Sequence, residues 1–305
     1  MAALTIQLFG KFCVRRDGNG VTGLDACKLQ ELVSYILVFR GSPHSRESLG
    51  TLLWADSSTA QSRKYLRQAL WRLQSVFEPD QGQGRIFNVE PDWISVNPDC
   101  DIALDVSAFE HVFSLVREIP GHDLDESQAS MLDRAIQLYQ GDLLEGWYQD
   151  WCVSERERLQ TNYLSMLDKM MNYCQAREKY ETALSYGLRV LRYDRAREST
   201  HRRLMRLHYL AGDRTAALRQ YEHCAAALTE ELGVKPSRLT VALYDQIRLD
   251  ELDPTSRATL PADGEPTALH TALEHLKQVR QMLIKICGQV QKDIKAVEEA
   301  LNGWR

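Results

Sequence analysis

The chain begins with a hydrophobic pattern of period two. In residues 4–16, apolar and polar side chains alternate on both sides of Gly10, which predicts two short strands. The same period returns in residues 85–97, where a Glu-Pro-Asp turn separates two more predicted strands. Between these two regions the hydrophobic period becomes that of an α-helix.

Three helices are predicted between the strands. Apolar residues recur at helical spacing from Lys28 until Gly41, which marks the end of the first helix. Ser45 stands where an N-cap is expected for a short helix that ends near Trp54. The third helix spans residues 60–78 and is the longest and most basic of the three. Strands, three helices and a closing hairpin, in this order, are typical of a winged-helix fold, whose last helix enters the DNA major groove.

The third predicted helix separates an apolar stripe from a cationic face. The stripe follows the spacing i, i+4, i+7 and i+11 and consists of Leu66, Leu70, Leu73 and Phe77. Opposite it lie Lys64, Gln68, Trp71 and Ser75, with Arg67 and Arg72 on the flanks. Cations suit phosphates, glutamine can pair with adenine, and an aromatic ring can contact a sugar or a thymine methyl group. A charged helix face is most often simply solvated, so the DNA-reading interpretation depends on the neighbouring elements.

From about Asp101 onward the pattern is nearly continuous helix. Segments centred on Ala183-Leu184 and Ala217-Leu218 align at an offset of 34 residues, the period of tetratricopeptide repeats. Neighbouring helices are predicted at residues 131–144, 150–176, 196–211 and 236–249. We therefore expect an all-α domain resembling tetratricopeptide repeats over residues 101–252, after a winged-helix domain over residues 1–100.

The last fifty residues differ from both domains. Residues 253–268 contain three prolines and few apolar groups, which predicts a linker. Residues 269–305 carry apolar side chains at alternating steps of four and three, which predicts an amphipathic helix. This helix could form a coiled coil, and hence a homodimer, or pack on its own chain; the sequence favours neither.

Charge and composition narrow the class of protein. The net charge of −5 argues against general wrapping of nucleic acid. Residues 40–77 nevertheless hold six lysines and arginines against two acidic residues, a local basic surface. No apolar run is long enough for a membrane span, and the N-terminus lacks the pattern of a secretion signal, so we expect a cytoplasmic protein. The seven cysteines have neither disulfide-framework nor zinc-site spacing, and we expect no cofactor or metal.

Catalysis is not expected. The histidines lack metal-ligand spacing, and neither a nucleophile elbow nor a glycine-rich phosphate loop is present. The paired acids Asp123 and Asp125 lie in a polar loop, where solvation is the expected state.

A second basic stretch leaves alternatives open. It contains Arg189, Arg192, Arg195, Arg197, Arg202, Arg203 and Arg206. These arginines could hold an anionic small-molecule ligand such as a nucleotide, or an acidic polymerase surface. They could equally form ion pairs with acids such as Asp194 and Glu198 of the same repeats.

A third interpretation is a scaffold that binds peptides in a tetratricopeptide groove without contacting DNA.

Several stretches resemble the SARP family, bacterial activators that join an OmpR-type winged helix to a bacterial transcriptional activation domain (BTAD). They are "IQLFGKF", "SRESLGTLLW", "YLRQALWRLQ", "YQGDLLEGWYQDWCVSERERL" and the long segment Leu204–Ile247, in which residues 231–237 read "ELGVKPS". The resemblance covers residues 4–249. It implies sequence-specific binding to double-stranded promoter DNA, often at direct repeats, and recruitment of RNA polymerase. The chain has no GxxxxGK[ST] motif, so the ATPase module of larger members is not expected.

The resemblance also implies which residues bind DNA. By position these are Ser45, Arg46, Arg63, Lys64, Arg67, Gln68, Trp71, Arg72 and Arg85. Ser45 and Arg46 would meet a phosphate at the start of the second helix, and Arg85 belongs to the wing. Trp71 departs from the family pattern, and polymerase or a neighbouring subunit is an alternative contact for it.

Overall fold

A computed structural model describes residues 4–77, 85–100 and 102–252 of the chain. The linker and C-terminal helix predicted at residues 253–305, with the homodimer suggested for them, lie outside the described residues. Residues up to Gly233 belong to one compact unit, and the described residues from Val234 onward belong to a second. Within the described ranges, no helix is both long and apolar enough to cross a membrane.

A four-stranded sheet begins the first unit. Its strands lie in the order β3 (Asn19–Gly20), β2 (Cys13–Arg16), β1 (Leu4–Gln7) and β7 (Ile102–Leu104). β1 and β2 are antiparallel, as the alternating pattern predicts, whereas β7 is parallel to β1. The apolar residues of β1 face the core, where Ile6 is fully buried.

Three helices, a two-residue strand and a hairpin follow the first three strands. They are α1 (Cys27–Val38), β4 (His44–Ser45), α2 (Arg46–Leu53), α3 (Thr59–Phe77), β5 (Phe87–Val89) and β6 (Trp93–Val96). The second sheet has the order β4-β6-β5, so a two-residue strand before α2 pairs with the hairpin. The elements and their order confirm the predicted winged helix.

The remaining part of the first unit is helical, as predicted. Its helices are α4 (Asp105–Val116), α5 (Glu126–Leu138), α6 (Asp150–Ala176), α7 (Tyr180–Tyr193), α8 (Glu198–Leu210) and α9 (Arg214–Leu232). The second unit contains α10 (Arg238–Leu249). α6 has the predicted bounds. α5 differs: it begins five residues before the predicted start at residue 131 because Asp125 caps it, accepting a hydrogen bond from Gln128 N at 2.7 Å.

The two repeat-like segments pack through small residues. Ala183 and Ala217, which align in the sequence, are both fully buried. On α7, Gly187 brings neighbouring helices close: a Cβ at this position would lie 2.6 Å from Leu204 Cδ2 and 2.9 Å from Met171 Cε. The absence of a side chain at Gly187 therefore sets how closely α6, α7 and α8 pack.

Hydrogen bonds to backbone groups just after β1 join the first sheet to the helical region. The Asp105 carboxylate, at the start of α4, accepts from the N–H groups of Leu8 and Phe9 at 2.9–3.0 Å and from Val106 N–H at 2.7 Å. Burial raises the pKa of Asp105, and these N–H donors oppose the rise. From the helical side, Leu144 N–H donates to Leu8 O at 2.8 Å. Contacts thus continue across the boundary predicted near residue 100.

Side chains strengthen the same junction. Glu110 of α4 accepts hydrogen bonds from Arg40, just after α1, and from Arg158 of α6. The Arg156 guanidinium donates to the carbonyls of Leu143, Leu144 and Trp147 at 2.9–3.0 Å and so orders the loop before α6. Because these bonds link α1, α4 and α6, the winged helix and the helical region form a single unit.

We expect Asp105→Ala to lower the free energy of unfolding by about 1–3 kcal/mol, because the N–H groups of Leu8 and Phe9 lose their acceptor. Urea unfolding measures the change. Asp99→Ala, the loss of an exposed acid nearby, is the control and should stay within about 0.5 kcal/mol of the wild type. Equal stability of Asp105→Ala and wild type would contradict the structural role of this carboxylate.

Gly187→Ala should destabilise the helical region by about 1–3 kcal/mol, because the added methyl group overlaps Leu204 and Met171. Thermal melting followed by circular dichroism tests this expectation. Gly41→Ala is the matched control, since a Cβ there meets no atom within 4 Å. A melting temperature of Gly187→Ala at or above that of the control would show that α6, α7 and α8 are not packed as described.

Candidate nucleic-acid interface

The buried side of α3 fixes how the helix is rotated in the winged helix. Leu66, Leu70, Leu73 and Phe77 are each at most 3% exposed, so the predicted stripe forms part of the core. Ser62 extends this side by one turn: its hydroxyl donates to the carbonyls of Trp54 and Ser58 and anchors the start of α3 to the end of α2. The hydrophobic pattern does not reveal Ser62, because it is polar.

The opposite side of α3 is open. It exposes Lys64, Arg67, Gln68, Trp71, Arg72 and Ser75. No carboxylate of the described residues forms an ion pair with Lys64, Arg67 or Arg72. Arg63 lies 3.8 Å from Glu47, but both side chains are more than 60% exposed, so this pair contributes little. The cations of α3 are therefore accessible to an external anion.

The start of α2 lies against the hairpin. Arg46 N–H donates to Asp92 O at 2.9 Å, and the Arg46 guanidinium donates to Glu90 O at 3.2 Å. Ser45 occupies the N-cap position, but its side chain makes no capping hydrogen bond. Ser45 is thus the N-cap residue by position, as predicted, and the hairpin carbonyl of Asp92 accepts the first N–H group of α2. Nor is that N–H group free for a phosphate, although the Arg46 guanidinium remains half-exposed.

The wing residue Arg85 is exposed and lies two residues before the start of β5. Its carbonyl accepts a hydrogen bond from Asn97 Nδ2 at 2.7 Å. This bond joins the residues just before β5 to the residue that follows β6. Trp93 of β6 pairs with Ser45 of β4 and is 48% exposed. The sequence does not reveal that Trp93 lies beside Ser45, because a two-residue strand such as β4 has no periodic signal that would predict its partner.

The second basic stretch makes many contacts within the chain. Arg197 and Arg203 both bond to Asp168 of α6, at 2.9 and 2.7 Å, and Arg195 pairs with Glu230 at 2.8 Å. Arg189 donates to the Tyr163 hydroxyl, and Arg202 is buried 3.9 Å from Glu198. Arg192 is exposed and Arg206 is half-buried. Most of these arginines therefore bond to groups of the same chain, which is one of the alternatives that the sequence left open. The contacts stabilise the packing of α6, α8 and α9.

The described fold is a winged helix followed by tetratricopeptide-like helices. Residues 104–248 match the family "Bacterial transcriptional activator domain". The match and the regulatory protein AfsR described below support the predicted membership of the SARP family. They also point to a transcriptional regulator in preference to an enzyme.

One relative is the regulatory protein AfsR of Streptomyces coelicolor, 25% identical over 274 residues. The match covers 88% of this chain but only 27% of AfsR, so this chain spans about a quarter of that protein. A similar solved structure is Mycobacterium tuberculosis EmbR in complex with a low-affinity phosphopeptide. It has a TM-score of 0.69 over 83% of this chain and 67% of EmbR, at 17% identity, which is evidence about the fold alone.

Proposed function

We propose that this regulator binds double-stranded promoter DNA sequence-specifically, with α3 in the major groove, and activates transcription by recruiting RNA polymerase. The observation that carries the proposal is the exposed cationic face of α3, which lies opposite a fully buried stripe. The buried stripe holds the helix in one rotation, so the lysine and arginines present a fixed pattern to a ligand.

The dimensions and charges of α3 support this proposal. Its 19 residues span about 28 Å, and a B-DNA major groove about 12 Å wide accommodates one helix. Lys64, Arg67 and Arg72 can contact phosphates, and Gln68 can pair with the N6 and N7 groups of adenine. Arg46 and Arg85 lie on adjoining elements and are the proposed backbone contacts of α2 and the wing. Because the chain as a whole is acidic, binding away from this face is disfavoured.

We expect Lys64→Ala and Arg67→Ala each to weaken binding to DNA from upstream of the protein's own gene by about 1 kcal/mol or more. The slope of log affinity against log salt should fall by about 1 for each phosphate interaction that the substitution removes. Footprinting would first locate the protected site, and gel shifts at several salt concentrations would then measure affinity.

Arg134→Ala is the matched control, because it removes an exposed arginine from α5, outside the proposed interface. All three variants should unfold within about 0.5 kcal/mol of the wild type, since each changes an exposed side chain. Wild-type affinity in both α3 variants would exclude the proposed groove face, and the absence of DNA binding even at low salt would favour the scaffold interpretation.

Polymerase recruitment is tested by transcription in vitro from the footprinted promoter with purified RNA polymerase. Wild-type protein should increase transcript yield, and a Lys64→Ala, Arg67→Ala double variant should not, because it fails to reach the promoter. An unchanged yield with bound wild-type protein would contradict activation while leaving DNA binding intact.

A further inference from the structure

We propose that Trp71 reads the 5-methyl group of thymine in the major groove and so contributes to operator choice. This inference rests on the proposed DNA-binding function. Trp71 is 71% exposed in the middle of α3, whereas Trp54, Trp147 and Trp151 are partly buried. Trp71 is thus the one large apolar side chain exposed on α3, and its indole is available to a ligand that binds this face.

The surroundings of Trp71 identify the chemistry of that partner. At about 100° per residue, the Trp71 side chain lies within about 40° of Lys64 and Arg67 around the helix. Neither cation has an ion-pair partner among the described residues. A ligand that covers the indole must therefore also be strongly anionic. DNA meets both requirements, because the thymine methyl group is an apolar group on a base edge in a groove lined with phosphates.

The local geometry leaves the indole accessible to a base edge. Ser75, one turn further along α3, is small, and its hydroxyl donates back to Trp71 O at 2.9 Å. Ser75 itself therefore places no bulky side chain beside the indole. Gln68, three residues earlier on the same face, can pair with adenine. Together these side chains predict a preference for thymine near an adenine in each half-site.

The test compares the natural duplex of the footprinted site with a series of duplexes, in each of which deoxyuridine replaces one thymidine. Deoxyuridine keeps the base pairing and removes only the methyl group. Wild-type protein should bind the duplex modified at the contacted position about 4-fold more weakly, the ratio that corresponds to ~0.8 kcal/mol for one buried methylene-sized group. Trp71→Ala should bind both duplexes equally and keep the wild-type salt slope, because it removes no charge.

Trp93→Ala is the matched control, since it removes an exposed tryptophan from β6 rather than α3, and it should still distinguish the two duplexes. Wild-type protein that binds both duplexes equally would overturn the inference and leave the proposed function standing. A Trp71→Ala variant that still discriminates would also overturn it, because another side chain would then read the methyl group. Failure of the wild type to bind the natural site would instead reject the proposed function itself.

Discussion

The burial of one stripe of α3 is the constraint on which the rest of this structure depends. Leu66, Leu70, Leu73 and Phe77 together remove a large apolar surface from water, and any rotation of the helix would expose part of it. This burial fixes the outward direction of Lys64, Arg67 and Gln68 without any contact among those polar residues. The core of the winged helix thus orients the side chains that we propose to contact DNA.

The junction between the sheet and the helical region extends this constraint through the first unit. β7, which follows the winged helix in the sequence, pairs with β1 at the edge of the sheet. The Asp105 carboxylate accepts hydrogen bonds from the N–H groups at the end of β1. Glu110 links α1 with α6. Because buried N–H groups without acceptors are costly, this joint resists separation. A helical region held this way would keep a constant position relative to DNA at the proposed α3 interface.

The acidic net charge and the basic α3 face are compatible because they act over different distances. Salt screens the charge of the whole molecule beyond about 10 Å, whereas the cations of α3 would lie in direct contact with phosphates. The arginines between Arg189 and Arg206 show the contrasting case. Asp168 and Glu230 pair with three of them, so a high local density of arginine there serves helix packing. A basic stretch in a sequence can therefore serve either phosphate contacts or ion pairs within the chain. The positions of the acidic residues in the fold decide between these two roles.

The sequence by itself determined the order of elements in the winged helix, the stripe of α3 and the helical character of the following region, because hydrophobic periodicity reports which face of an element is buried. The bounds of α6 followed from the same pattern, but the start of α5 depended on the capping hydrogen bonds of Asp125. Tertiary structure alone decided that β7 pairs with β1, that a hairpin carbonyl holds the start of α2, and that Asp168 binds two arginines of the second stretch. Each of these joins residues about thirty or more positions apart through a few hydrogen bonds or ion pairs, and such contacts leave no periodic trace in the sequence.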